Sequence, residues 1–281
     1  MQKTLNLITC VVAFVVPAGA ATLLFSTGDP DGKIGTLSRP AGPGLLETET
    51  ADDFILGQAS RITQATFVGL LPVGIPLSSI SRIEIELYHV FPTDSATPPS
   101  GNVPARANSP SDVEFMAFDS SAGTLTFTAS LSSPTFSVAN TVVNGINKSP
   151  PQFTGGEGPA TGQEVLFTIA FSTPFLLPGG TDLFFRPEVG LITGNFLWLS
   201  APKPIVTGTG PFLPDLQTWT RNANLSPDWL RIGTDITHQG PFNATFALSG
   251  DPIPEPTTLL LLGVGLLGLG AWKRKYLFKH N

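Results

Sequence analysis

Several stretches of the chain alternate apolar and polar residues with a period of two. In Ile83-Glu84-Ile85-Glu86-Leu87-Tyr88 the Ile and Leu positions are expected to face a core and the Glu positions water. Leu125, Phe127, Ala129 and Leu131 alternate with Thr124, Thr126, Thr128 and Ser130. Val165, Phe167, Ile169 and Phe171 alternate with Leu166, Thr168, Ala170 and Ser172, and Phe242, Ala244, Phe246 and Leu248 with Asn243, Thr245 and Ala247. Half-buried antiparallel strands produce this pattern. Further strands are expected at 62–71, 113–118, 182–186 and 196–199, and short ones at 216–220 and 229–232. That last pair, turning at Pro227-Asp228-Trp229, would bring Trp219 and Trp229 near each other. Turn signals at Ser121-Ala122-Gly123, Pro178-Gly179-Gly180 and Thr207-Gly208-Thr209-Gly210 separate the runs. No stretch between the ends sustains a 3.6-residue period, and no repeat of 20–50 residues is visible. The pattern predicts an all-β, antiparallel β-sandwich over residues 21–250, of which a jelly roll is one form. Two long polar loops, 92–110 and 144–162, are expected at its rim.

Composition supports this reading. Among 281 residues there are 29 Gly and 27 Pro, and only 13% are charged, which suits short strands and tight turns better than long helices. The net charge of −6 understates the acidity of the body. Residues 21–254 hold 20 of the 21 acids but 10 of the 15 bases, a balance of −10. Phosphate backbones would be repelled, which argues against nucleic-acid binding. The single cysteine, Cys10, lies in a segment expected to be removed, so the body is left without disulfides, thiol nucleophiles or thiolate metal sites.

The two ends break the β pattern. Lys3 precedes an apolar run, Leu5 to Val16, which Pro17 ends; Ala18 and Ala20 supply the small residues of a cleavage site. Residues 1–20 therefore read as a signal peptide for the Sec translocon, cut by signal peptidase after Ala20. At the other end come, in order, Pro254-Glu255-Pro256, an apolar Leu/Gly-rich run from Thr257 to Trp272, and the basic cluster Lys273-Arg274-Lys275. As a helix the run would reach about 24 Å, a short transmembrane span that Trp272 and the lysines could extend by snorkelling. The basic cluster places this end in the cytoplasm and the body outside.

The order of proline-flanked glutamate, apolar run and basic patch over residues 251–281 resembles the PEP-CTERM sorting signal. The resemblance implies a Gram-negative-type bacterium that often makes exopolysaccharide. It also implies an exosortase-type transpeptidase that removes the helix after transient residence in the inner membrane, leaving the body at the cell surface or in the extracellular matrix.

Candidate chemistry in the body is sparse. Nucleophile-elbow, zincin, P-loop and dinucleotide fingerprints are absent. His89 falls in register with Ile83, Ile85 and Leu87, near a core edge, and His238 in a loop; neither carries the context of a catalytic base. Asp29 and Asp31, two apart before Gly32, resemble the start of a calcium loop, but the position of its bidentate acid is Pro40. Asp52 and Asp53, with Glu47 and Glu49, form a denser acidic group that suits calcium between loops. Adjacent strand residues point to opposite faces, so Asp52 and Asp53 would not be a working pair for glycan hydrolysis; an acidic turn at Asp29 and Asp31 and the capping of a strand entry at Asp52 and Asp53 are the preferred roles. Trp198, Trp219 and Trp229 lie near Asp215, Arg221, Asp228 and Arg231. They could form a stacking platform for exopolysaccharide, though filling a core is the preferred role for tryptophans in a domain of this size. The expected function is an exported surface or matrix component associated with carbohydrate. A secreted glycan hydrolase or lyase and a ligand-free structural protein are the alternatives.

Overall fold

In the computed structural model, which describes residues 21–93, 103–143, 154–213, 216–254 and 263–267, the alternating stretches become strands of two sheets. The larger sheet has nine strands built around β4 (Ser60–Pro72). One edge of β4 is lined by β9 (Ala160–Leu177), which in turn carries β7 (Leu125–Val138). The other edge is shared. Its first half pairs with β15 (Phe246–Pro252), and β1 (Thr22–Ser26) closes on β15. Its second half pairs with β11 (Leu197–Ala201), followed by β2 (Ile34–Leu37) and β8 (Asn140–Val142). The β2–β8 pair is parallel, the one exception among the named ladders to the antiparallel arrangement expected.

The second sheet has six strands in the order β13 (Leu230–Arg231), β12 (Thr218–Asn222), β3 (Thr48–Ile55), β10 (Asp182–Leu191), β5 (Ile80–His89) and β6 (Met116–Asp119). Its inner face presents Ile83, Ile85 and Leu87 from β5 and Leu183, Phe185 and Val189 from β10. These meet Ala65 and Phe67 of β4, Val165, Phe167 and Ile169 of β9, and Phe246 and Leu248 of β15. Aromatic rings span the gap: Phe67 stacks on Phe167 at 4.8 Å, and Phe185 lies parallel to Phe246 at 5.0 Å. Burial of this apolar surface, at roughly 25 cal/mol per Å2, is the main force holding the sheets together.

Four expectations are corrected by local physics. The run from Phe242 is two strands, because Thr245 switches partner. Its N–H donates to the Leu199 carbonyl, and its hydroxyl accepts from Val68 N and donates to Val68 O, so β14 (Asn243–Ala244) pairs with β11 and β15 with β4. The strand expected at 113–118 starts only at Met116, since the chain before it folds over the outer face of the six-stranded sheet. Leu131 is exposed rather than inward, at a point where the β7–β9 register shifts. Glu86, expected to face water, is buried. The strand pair at the Pro227 turn does form, with Trp219 opposite Arg231.

Residues 1–20, and with them Ala18, Ala20 and the signal peptide, lie outside the described residues, as do Glu255, Pro256, Lys273, Arg274 and Lys275 and the parts 94–102 and 144–153 of the two rim loops. A helical turn covers 263–267, and among the described residues no helix is long and apolar enough to cross a membrane.

Gly69 on β4 exposes how tight the core is: a Cβ there would stand 1.9 Å from Cε2 of Phe196. Gly69→Ala should therefore destabilise the protein by about 1–3 kcal/mol in urea unfolding, through displacement of the Phe196 ring.

Candidate functional site

The outer face of the six-stranded sheet carries the densest chemistry in the body. Strand alternation puts Arg186 and Glu188 of β10, Glu86 and Tyr88 of β5, Glu49 of β3 and Arg221 of β12 on this side, opposite the apolar set. Arg186 is almost inaccessible to water and meets four carboxylates. Its Nη2 lies 3.1 Å from Glu47 Oε1, 3.0 Å from Glu49 Oε1 and 2.6 Å from Glu188 Oε1, and its Nη1 lies 2.9 Å from Glu86 Oε2. Arg221 donates from Nε and Nη2 to Glu49 and from Nη2 to the Tyr88 hydroxyl at 3.2 Å. Tyr88 in turn donates to Glu86 Oε2 at 2.5 Å, closing the network.

This polar layer is roofed. Arg221 lies 4.3 Å from the Trp229 ring centroid and donates from Nη1 to Asp112 O at 3.0 Å. Trp229 donates from Nε1 to Ser111 O at 3.2 Å and meets Tyr88 edge-on at 5.5 Å. Arg106 bonds Asp112 and the carbonyl of Pro227, tying the loop before β6 to the turn before β13. At its open side the layer borders a recess of about 170 Å3 lined by Glu47, Glu49, Arg221, Asn222, Ala223 and Ser226.

Two guanidiniums face four carboxylates, so the layer cannot ionise in full without stacking up negative charge in a poorly hydrated place. Burial pushes the Glu188 carboxyl up to about 8 and Glu86 to about 7, with Arg186 opposing both shifts. Burial also works against the Arg186 charge, but the surrounding acids outweigh it and hold its pKa above the ordinary value. Arg221 is pushed down to about 10 by burial, against the pull of Glu47. The acids are spent on the two arginines, and Glu47 alone among them is substantially exposed.

The residues expected from the sequence to carry function take other places. Trp198, Trp219 and Trp229 are 1%, 0% and 0% exposed, respectively. A sugar-stacking platform needs an open ring face, and these are covered. Trp198 packs edge-on against the stacked pair Phe185 and Phe246 with its Nε1 donating to Thr245 O, while Trp219 and Trp229 share a cluster with Ala51, Tyr88 and Phe184. Asp31 accepts from the Lys33 backbone and the Ser200 hydroxyl, fixing the turn before β2. Asp52 is fully buried and accepts from Thr218 Oγ1 and Ala244 N, each at 2.9 Å; burial raises its pKa to about 8. Asp53 is likewise driven upward by burial and by the neighbouring Asp52 and Asp182. Asp29 lies apart, near enough to Glu164 that its charge adds to burial in raising the Glu164 pKa. Among the described residues no three His, Cys, Asp or Glu side chains are placed to hold a metal ion. His89 stacks on Phe115 at 4.1 Å, and His238 occupies an exposed turn.

Sequence reasoning did not find the Arg186 network. The signal was present as charges two apart within apolar strands, at Glu84/Glu86 and Arg186/Glu188. What period two does not reveal is that the charged face is covered.

Removing Arg186 as Arg186→Met should cost about 3–5 kcal/mol of stability, because the buried acids lose their shared partner. The pH dependence has a definite sign. Glu188, Glu86 and Asp52 keep protons in the folded state that the unfolded chain gives up near the ordinary carboxylate values. Their contribution is complete below those values and is lost as pH rises through about 7 to 8. Thermal melts should give a Tm several degrees higher at about pH 5 than at about pH 8, and Glu188→Gln should flatten that slope.

The C-terminal end of the body completes the picture. β15 runs to Pro252, and the next residue, Ile253, still donates its N–H to Ala59 O at 2.8 Å, so Pro254 follows the sheet without a linker. No curated protein and no solved structure matches the chain. The family model of the PEP-CTERM protein-sorting motif matches residues 252–275, covering Pro254-Glu255-Pro256, the Leu/Gly-rich run and the basic cluster. Residues 252–275 thus carry a PEP-CTERM protein-sorting motif, a signal that implies export and sorting by an exosortase.

Proposed function

We propose that the protein is a cell-surface or extracellular-matrix component that associates with exopolysaccharide and is delivered in two cuts. Signal peptidase removes residues 1–20 after Ala20. The apolar run from Thr257 to Trp272 then holds the body outside the inner membrane, with Lys273, Arg274 and Lys275 in the cytoplasm, until an exosortase-type transpeptidase cuts near Pro254-Glu255-Pro256.

The observation that carries this reading is the sorting motif itself, joined directly to the last strand of an all-β body. Support for a non-enzymatic role comes from the outer face of the six-stranded sheet. Its carboxylates are held by Arg186 and Arg221 rather than aimed across a cleft, as glycan hydrolysis would need. The association with exopolysaccharide follows from the destination and does not use the tryptophans, which are buried.

Intact mass spectrometry of the protein from the producing cell tests the delivery. The expected species begins at Ala21 and lacks the basic tail, and deletion of the exosortase should leave the uncut species in the inner-membrane fraction. A secreted species running from Ala21 through Asn281 would refute the second cut. Cosedimentation of the processed body with purified exopolysaccharide tests the association, and a body that stays wholly in the supernatant would count against it.

A further inference from the structure

The register of the nine-stranded sheet brings the two ends of the body together. Thr22 of β1 is the Cα partner of Gly250 on β15, and Gly250 is the partner of Ile62 on β4. The next rows are Asp251–Arg61–Leu176 and Pro252–Ser60–Leu177, so β1, β15, β4 and β9 meet at one end of the sandwich. The turn at 57–59 and the loop at 178–181 belong to the same end: Gly180 N donates to Leu56 O, and a Cβ on Gly179 would lie 2.4 Å from the Gln58 backbone.

From there the chain has little slack. Four Cα steps separate Ile253 from Thr257, where the apolar run begins, a reach of about 14 Å at full extension. Two steps separate Thr22 from Ala20, about 7 Å. The surface at this end suits a bilayer boundary. Leu176 and Ile253 are exposed, at 60% and 37%, and the turns offer Gly57, Gln58, Pro178 and Gly180 with no charge. Across 21–23, 56–61, 174–182 and 250–254 the charged residues are Arg61, Asp182 and Asp251, a near-neutral patch on a body of net charge −10. The opposite end also exposes apolar groups, Val73 and Ile192, but it lies the length of β4 away, about 40 Å along the strand, beyond the tether.

We propose that, while its tail is uncut, the sandwich stands end-on against the outer leaflet of the inner membrane, with Leu176, Ile253 and the turns at 57–59 and 178–181 seated in the headgroup layer. This rests on the reading that the tail inserts. The sorting site then lies between a folded sheet and the bilayer, about a residue or two from each.

The test uses the full chain from Ala21 to Asn281 in vesicles of phosphatidylethanolamine and phosphatidylglycerol. With Cys10 gone this chain has no cysteine, so Leu176→Cys, Gln58→Cys and Val73→Cys each place one environment-sensitive dye. Headgroup-spin-labelled lipid should quench the dyes at positions 176 and 58 several-fold more than the dye at 73. Chains that float with the vesicles but show equal quenching at all three positions, or stronger quenching at 73, would overturn the end-on seating while leaving the anchor intact. Chains that do not float at all would overturn the anchor and the seating together.

Discussion

A guanidinium with almost no access to water has to be neutralised where it stands, and the six-stranded sheet is organised around that requirement. Arg186 draws Glu49, Glu86 and Glu188 from three adjacent strands, and Glu47 from the chain just before β3. Glu49 then fixes Arg221, and Arg221 fixes the roof through Trp229 and the Asp112 carbonyl. The loop before β6 and the turn before β13 are therefore held by the same chain of charge pairs that joins β3, β10 and β5. Such a layer adds little net stability compared with apolar residues of equal volume, since desolvation offsets most of the attraction. Its effect is to fix which strands lie side by side, because a slip of one residue would put Arg186 into the apolar core.

The sequence made the strands legible wherever apolar and polar residues alternate without interruption, as at Ile83–Tyr88 and Val165–Ser172. It also made the sorting signal legible, because that signal is a linear order of residue types recognised as such. It misjudged Glu86 because alternation says which residues share a face and not whether that face is wet. It favoured a core for the tryptophans on general grounds alone, since an indole suits a surface as well. At 242–248 the apolar positions are buried as the alternation predicts, but Asn243 and Thr245 are buried too, and the strand changes partner at Thr245. That change depends on where β11 ends relative to β15, a tertiary fact with no local signature.

Asp52 and Asp53 illustrate the same limit from the side of function. Two adjacent acids in an exported protein suit a hard cation, and the sequence favours a structural role for them without saying which. The structure gives Asp52 two donors, Thr218 Oγ1 and Ala244 N, and in doing so uses it to join β3 to β12 and to β14. Buried acids in this body act as acceptors and as holders of protons, which suits a fold whose surface already carries a large excess of negative charge.

The pairing of β1 with β15 has a consequence for how the molecule comes to exist. The first strand of the body and its last are hydrogen-bonded neighbours, separated by more than two hundred residues of chain. That contact closes the longest loop in the fold, and loop closure is an entropic cost met before the contact is made. A polypeptide emerging amino-end first from a membrane pore cannot form it until almost the whole body has passed through. The nine-stranded sheet therefore cannot be completed before the last strand of the body has been delivered, so in an exported chain its closure waits on the end of translocation.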